Sequence, residues 1–167
     1  MTSGWPPRSS DGAGLLAAYT SVLGWPLYAN RVPVAKWGAA AVRDGSRCGV
    51  WSTLCADRFD AVRVPADAGR ETVLLLERDE GLERAGVVVP CLVAGASRFF
   101  FVRAGTGHMV RNVEVLSGQQ RVTLPPTGGF RWEAPPWSLD ERRGLELPDA
   151  QVLVPWLRIP ADPPDRS

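Results

Sequence analysis

The feature that most limits what this chain can become is a succession of short β-prone runs, each closed within a few residues by Gly, Ser or Pro. Val87 to Val93, Arg98 to Arg103, Met109 to Leu116 and Arg121 to Leu124 follow one another so closely that hairpins, and therefore antiparallel pairing, are favoured. Phe130 to Glu133 reads as a further short strand. Upstream, Cys48 to Leu54 and Phe59 to Val64 read as two more, separated by the turn-compatible Ala56, Asp57 and Arg58.

Helical spacing occurs in two places. From Asp11 onward Leu15, Ala18, Tyr19, Val22 and Leu23 recur as one stripe, and Gly24 with Pro26 supplies the stop. Glu71 to Arg78 carries Val73, Leu74, Leu75 and Leu76 among charges and predicts a second helix ending near Gly81; a strand competes for this run, because a short apolar stretch does not declare its period. Asp149 to Leu157 reads as a closing turn or short helix interrupted by Pro155. Helix, strands, helix and then a run of strands is the order of an α+β domain. The expected organisation is one domain over residues 11–159, an antiparallel-rich mixed sheet with two main helices on it, between loose Pro- and Ser-rich tails at 1–10 and 160–167.

A chain of 167 residues can bury a core without disulfides or a structural metal. Cys48, Cys55 and Cys91 are odd in number and lack the C-x-x-C spacing, which argues against a disulfide framework and a cysteine zinc site and suits a reducing, cytoplasmic compartment. No apolar run reaches membrane-spanning length, and Met1 to Asp11 lacks the apolar core of a signal peptide. A net charge of +1 gives no general attraction to nucleic acid, so any such contact needs a local patch. The basic residues are arginines apart from Lys36, a usage that fits high-GC coding and that also offers planar forks for phosphate or carboxylate.

Four segments carry a family resemblance. Leu15 to Asn30 (LLAAYTSVLGWPLYAN) is a helix running through Gly-Trp-Pro into a strand. Cys48 to Gly69 (CGVWSTLCADRFDAVRVPADAG) has strand, turn and strand. Pro90 to Arg103 (PCLVAGASRFFFVR) is a small-residue turn before an aromatic strand, and Val113 to Pro135 (VEVLSGQQRVTLPPTGGFRWEAP) combines a strand, a Gly-containing turn and a Pro-Pro-Thr segment. In this order they resemble the bacterial bifunctional DNA primase/polymerase (prim-pol) family. The resemblance implies a sheet of the primase/polymerase palm type, and ancestral substrates that are nucleoside triphosphates and a template strand.

Family members hold two divalent metals with carboxylates to stabilise the attacking and leaving oxygens of nucleotidyl transfer, and an Asp-x-Asp pair works because alternate strand residues share a face. Carried over by the resemblance, that pair falls on Arg63 and Pro65, the motif histidine on Arg98 and the third acid on Glu114. A guanidinium at Arg63 puts fixed positive charge where the family holds cations. Asp60 is an odd number of residues away and faces the other side. The resemblance with these substitutions implies a pseudo-enzyme with no metal and no cofactor, in which Arg63 and Arg98 converge on Glu114.

Two further readings stand beside it. Such a vestigial cleft can bind a nucleotide or single-stranded nucleic acid, with Phe99, Phe101, Trp132 or Trp137 for stacking, although core packing is the ordinary role of each aromatic. Alternatively the scaffold alone survives as a protein-interaction or regulatory module, with tryptophans beside prolines (Trp25, Trp137, Trp156) forming an exposed patch or else anchoring the core. Other chemistries have less to work with. His108 is the sole histidine and sits in a turn-like AGTGHM, there is no GK[ST] phosphate loop, and the acidic pairs Asp79/Glu80 and Asp140/Glu141 read as solvated ends.

Overall fold

The computed structural model describes residues 4–36, 49–157 and 159. The expected loose C-terminal tail and Cys48, the start of an expected strand, lie outside them. The chain forms one α+β domain around a curled seven-stranded sheet. The strands are β1 (Leu27–Ala29), β2 (Val32–Pro33), β3 (Trp51–Pro65), β4 (Cys91–Ala94), β5 (Ser97–Val102), β6 (Glu114–Leu124) and β7 (Phe130–Ala134). Their order is β2-β1-β3-β5-β4-β7, with β6 on the other edge of β3. Every pairing is antiparallel, so the sheet is not mixed.

β3 organises the rest. Its first half pairs with β1 and its second half with β5, while β6 runs along both. The sequence predicts a turn at Ala56 to Arg58; the chain instead passes through as one strand with a large bulge. Ala56 lies opposite Gly118 and Ala61 opposite Leu116, so residues 57–60 face a single β6 residue, and Ala56 takes φ 48°. Bulge and turn share the same residue preferences, but here the ladder resumes in the same direction. The two runs expected at 109–116 and 121–124 likewise merge, from Glu114 onward, into β6. Of the expected 87–93 run only Cys91 to Val93 pairs, in a strand that extends to Ala94.

The first helix, α1 (Gly12–Ala17), starts at Asp11, whose carboxylate accepts the Gly14 N–H, and continues as a π-helical turn over Ala18–Val22. The wider turn shifts the buried stripe: Leu15, Leu16, Ala18 and Tyr19 are buried, whereas Val22 and Leu23 are only partly so. Gly24, at φ 65°, ends it. The second helix, α2 (Ala66–Glu77), begins five residues before the expected start, directly after Pro65, and stops at Arg78. Asp79 then caps a separate short helix, α3 (Glu80–Ala85), accepting from the N–H groups of Gly81 and Leu82. A short 3-10 turn over Ala150–Val152 closes the described chain, as the sequence leads one to expect.

Strand alternation divides the core in two. Phe59, Ala61, Leu92 and Phe101 point to one face with Leu15, Tyr19, Trp25, Trp51 and Trp137. Val62, Val64, Cys91, Phe100 and Val102 point to the other, with Ala150, Leu153 and the α2 residues Val73 and Leu76. The seat of α2 is tight: a Cβ on Gly69 would come within 2.8 Å of Arg98 Cβ and 2.9 Å of Val64 Cγ2. The segment expected as a loose N-terminal tail makes defined contacts. Trp5 Nε1 donates to Ser138 O at 2.9 Å, its ring sits 6.1 Å from Trp137, and Ser9 Oγ accepts the Trp132 N–H.

Candidate functional site

The positions named from the sequence fall into two groups on opposite faces of the sheet. Arg63 lies directly across from Glu114 of β6 and from Phe99 of β5, so all three side chains share a face. Arg63 Nη1 donates to Glu114 Oε2 at 3.0 Å and Arg63 Nε to Ser97 Oγ at 3.1 Å, and the guanidinium carbon is 5.9 Å from the Phe99 ring centre. Pro65, opposite Ser97, shares this face and closes the strand before α2. Arg63 and Glu114 each keep about half of their side-chain surface in water, so the pair is worth only about 0.2–1 kcal/mol. A competing anion can displace it.

Arg98 does not join them. It sits opposite Val64 and Val93, faces the second core and is buried beneath α2. There its Nε donates to Glu133 Oε2 at 3.0 Å, Nη2 to Oε1 at 3.4 Å and Nη1 to Ala66 O at 2.6 Å. The expected convergence of both arginines on Glu114 is therefore corrected: Arg63 reaches it, and Arg98 fastens the start of α2 to β7. Ser97, one residue away, occupies the place on the Arg63 face that Arg98 was given.

The aromatics separate in the same way. Phe101 is fully buried, 4.8 Å from Phe59 and 5.2 Å from Trp132, and Trp137 is buried 5.8 Å from Trp132. Trp132 Nε1 donates to Tyr19 Oη, which itself donates to Pro125 O. Phe101 and Trp137 hold the core and offer no stacking surface, whereas Trp132, packed against them, is only partly buried. Phe99 is half-buried at the rim of that core beside Arg63, and Phe130, also half-buried, lies two strands away on the same face. Trp25 is core as well, 4.9 Å from Phe59. The expected surface patch of tryptophans therefore lacks Trp25 and Trp137.

Comparison of the chain with protein-family models, curated proteins and solved structures finds no match.

At the Arg63 face the donor set is one carboxylate already bridged to a guanidinium. That set does not suit a divalent cation, which needs several oxygens. Among the described residues no three His, Cys, Asp or Glu side chains cluster. Asp60 is buried on the opposite face, across from Val102, and its Oδ2 accepts the Gly105 and Gly107 N–H groups at 3.0 and 2.9 Å, so it shapes the turn after β5. His108 follows in that turn with an exposed side chain. Among the described residues no helix is long and apolar enough to cross a membrane.

Among the described residues two thiols are held protonated by burial. Burial pushes Cys91 up to about 12, with the neighbouring Glu133 carboxylate adding to the effect, and burial with Asp60 nearby does the same for Cys55. Both are buried and free. Ser97 and Glu133 were missed from the sequence. Ser97 was within reach, since a residue two before Phe99 on a strand shares its face. Glu133 was not, because it is the unpaired residue of a bulge between the pairs Cys91/Ala134 and Leu92/Trp132.

Proposed function

We propose that this chain is a non-catalytic module on a primase/polymerase-like palm, and that its open sheet face around Arg63 binds a nucleotide or single-stranded nucleic acid. The observation that carries the proposal is the 3.0 Å ion pair between Arg63 and Glu114. By the resemblance these positions belong to metal-binding acids, and a guanidinium bridged to the remaining carboxylate removes the charge pattern that two-metal transfer requires. What remains suits a phosphate: a half-exposed guanidinium, the Ser97 hydroxyl 3.1 Å from it, and Phe99 at the rim for a base to stack upon.

The test is fluorescence anisotropy of a labelled single-stranded oligonucleotide at low salt, with wild-type protein and Arg63→Ala. The proposal expects saturable binding weakened by about five- to tenfold in the variant, as loss of a charge-assisted phosphate contact requires. Binding indifferent to Arg63 removes the face as the site.

A second reading, a protein-interaction module, is favoured by one observation. Val88 and Leu139 are both strongly exposed and line one groove of about 320 Å³ with Pro135 and Leu145, away from Arg63.

A further inference from the structure

A cavity of about 560 Å³ lies apart from the Arg63 face. It opens beyond the far end of β5, where Arg103 follows the strand, whereas Ser97 and Arg63 mark the near end. Its apolar wall is Val22, Leu23 and Trp25 from the end of the first helix, with Leu145 and Leu147 opposite. Two guanidiniums, Arg58 and Arg103, line the same space together with the Glu146 carboxylate, which a bound anion would displace from Arg103.

Both arginines are loosely engaged. Arg58 Nη1 lies 3.8 Å from Asp57, whose side chain is 95% exposed, and Arg103 Nη2 lies 4.0 Å from Glu146, whose side chain is 93% exposed. Carboxylates so fully hydrated, at the outer limit of an ion pair, hold a guanidinium weakly. An anion seated in the cavity meets the same two cations against an apolar wall, where the local dielectric is lower and the attraction stronger.

The backbone supplies an independent observation. Arg58 belongs to the bulge of β3, in which residues 57–60 stand against one residue of β6 and the non-glycine Ala56 takes φ 48°. A regular ladder would set Arg58 in register along β6, whereas the bulge takes it out of the ladder at the cavity.

We propose that this cavity is a binding site for a small anionic ligand with an apolar or aromatic body, a phosphate or carboxylate monoester-sized molecule whose charged end meets Arg58 and Arg103 and whose body lies against Leu23, Trp25, Leu145 and Leu147. The proposal does not rest on the reading of the Arg63 face.

The test uses the full chain and three probes, phenyl phosphate, inorganic phosphate and benzyl alcohol, followed by calorimetry or by chemical-shift changes of labelled protein. Phenyl phosphate is expected to bind saturably at the cavity, more tightly than either of the others, because it alone has both the charge and the ring. Arg58→Gln and Arg103→Gln are each expected to weaken it about fivefold or more, with the chemical-shift changes centred on the cavity residues Leu23, Trp25 and Leu147. Both arginines are substantially exposed, so their variants should fold, and a thermal melt of each checks this. Three results overturn the proposal: no saturation by about 10 mM phenyl phosphate, equal affinity for benzyl alcohol, or binding unchanged in both Arg58→Gln and Arg103→Gln.

Discussion

Glu133→Gln probes the ion pair that ties the start of α2 and β5 to β7. In the native protein Arg98, nearly buried, gives two bonds to Glu133 and one to Ala66 O, while the Glu133 side chain keeps 30% of its surface exposed. Removing the carboxylate charge leaves the guanidinium under α2 with one carbonyl and an amide as acceptors. Breaking a fully buried pair from one side costs about 3–5 kcal/mol, and the water that reaches Glu133 lowers this to about 2–3 kcal/mol. Arg98→Met keeps an unbranched apolar stem beneath Gly69, frees Glu133 to turn toward water and loses the Ala66 bond, for about 1–2 kcal/mol. The double variant should therefore cost little more than Arg98→Met alone, a coupling of about 2–3 kcal/mol in the cycle. Urea unfolding followed by tryptophan fluorescence measures all four proteins, with an unchanged m-value as the condition for comparing them. Additive costs, or a Glu133→Gln effect under about 0.5 kcal/mol, would refute the role given to this pair.

Tyr19→Phe removes the hydroxyl that joins Trp132 Nε1 to Pro125 O and should cost about 1–3 kcal/mol of unfolding free energy, since it leaves a part-buried indole donor unsatisfied; a change within error would mean water takes its place. Asp60→Ala strips two backbone N–H groups of their acceptor and should cost about 2–3 kcal/mol, with Asp60→Asn recovering part of it, both read from thermal melts. Cys55 and Cys91 titrate higher folded, at about 12, than in the unfolded chain at about 8.5, so their contribution is complete below the lower value and is lost as pH climbs through the higher. Urea midpoints should accordingly fall steadily above about pH 9, and less steeply in Cys91→Ala; a flat profile to about pH 11 contradicts the burial of these thiols.

Much of the architecture was legible because hairpin spacing and strand alternation are local signals. Phe99 and Phe101 share a face by alternation alone, and the same rule places Ser97 with them and Arg98 with Phe100 on the other side. Giving Arg98 a place beside Arg63 followed the order of a motif and overlooked that rule. Other features had no local signature. Ala56-Asp57-Arg58 suits a turn as well as a bulge, and what decides between them is β6, sixty residues away in the chain, which pairs with β3 on both sides of the irregularity. The start of α2 at Ala66 was obscured by Pro65, Asp67 and Gly69, which read as breakers, although proline and an acid belong at a helix's first turn. Gly69 is there because the Arg98 stem leaves no room for a Cβ. The cavity beside Arg58 and Arg103 joins five separate chain segments, and no sequence window contains them together.

The proposal that the Arg63–Glu114 pair occupies the positions that, by the resemblance, hold cations in a metal-dependent palm has one most direct test. Calorimetric titration with manganese and a nucleoside triphosphate, on wild-type protein and Arg63→Ala, supplies it. The account predicts no heat that depends on the metal, and nucleotide binding without metal that weakens in Arg63→Ala. Metal-dependent binding by the wild-type chain would contradict it, because Arg63 and Glu114 could then not be occupied with each other.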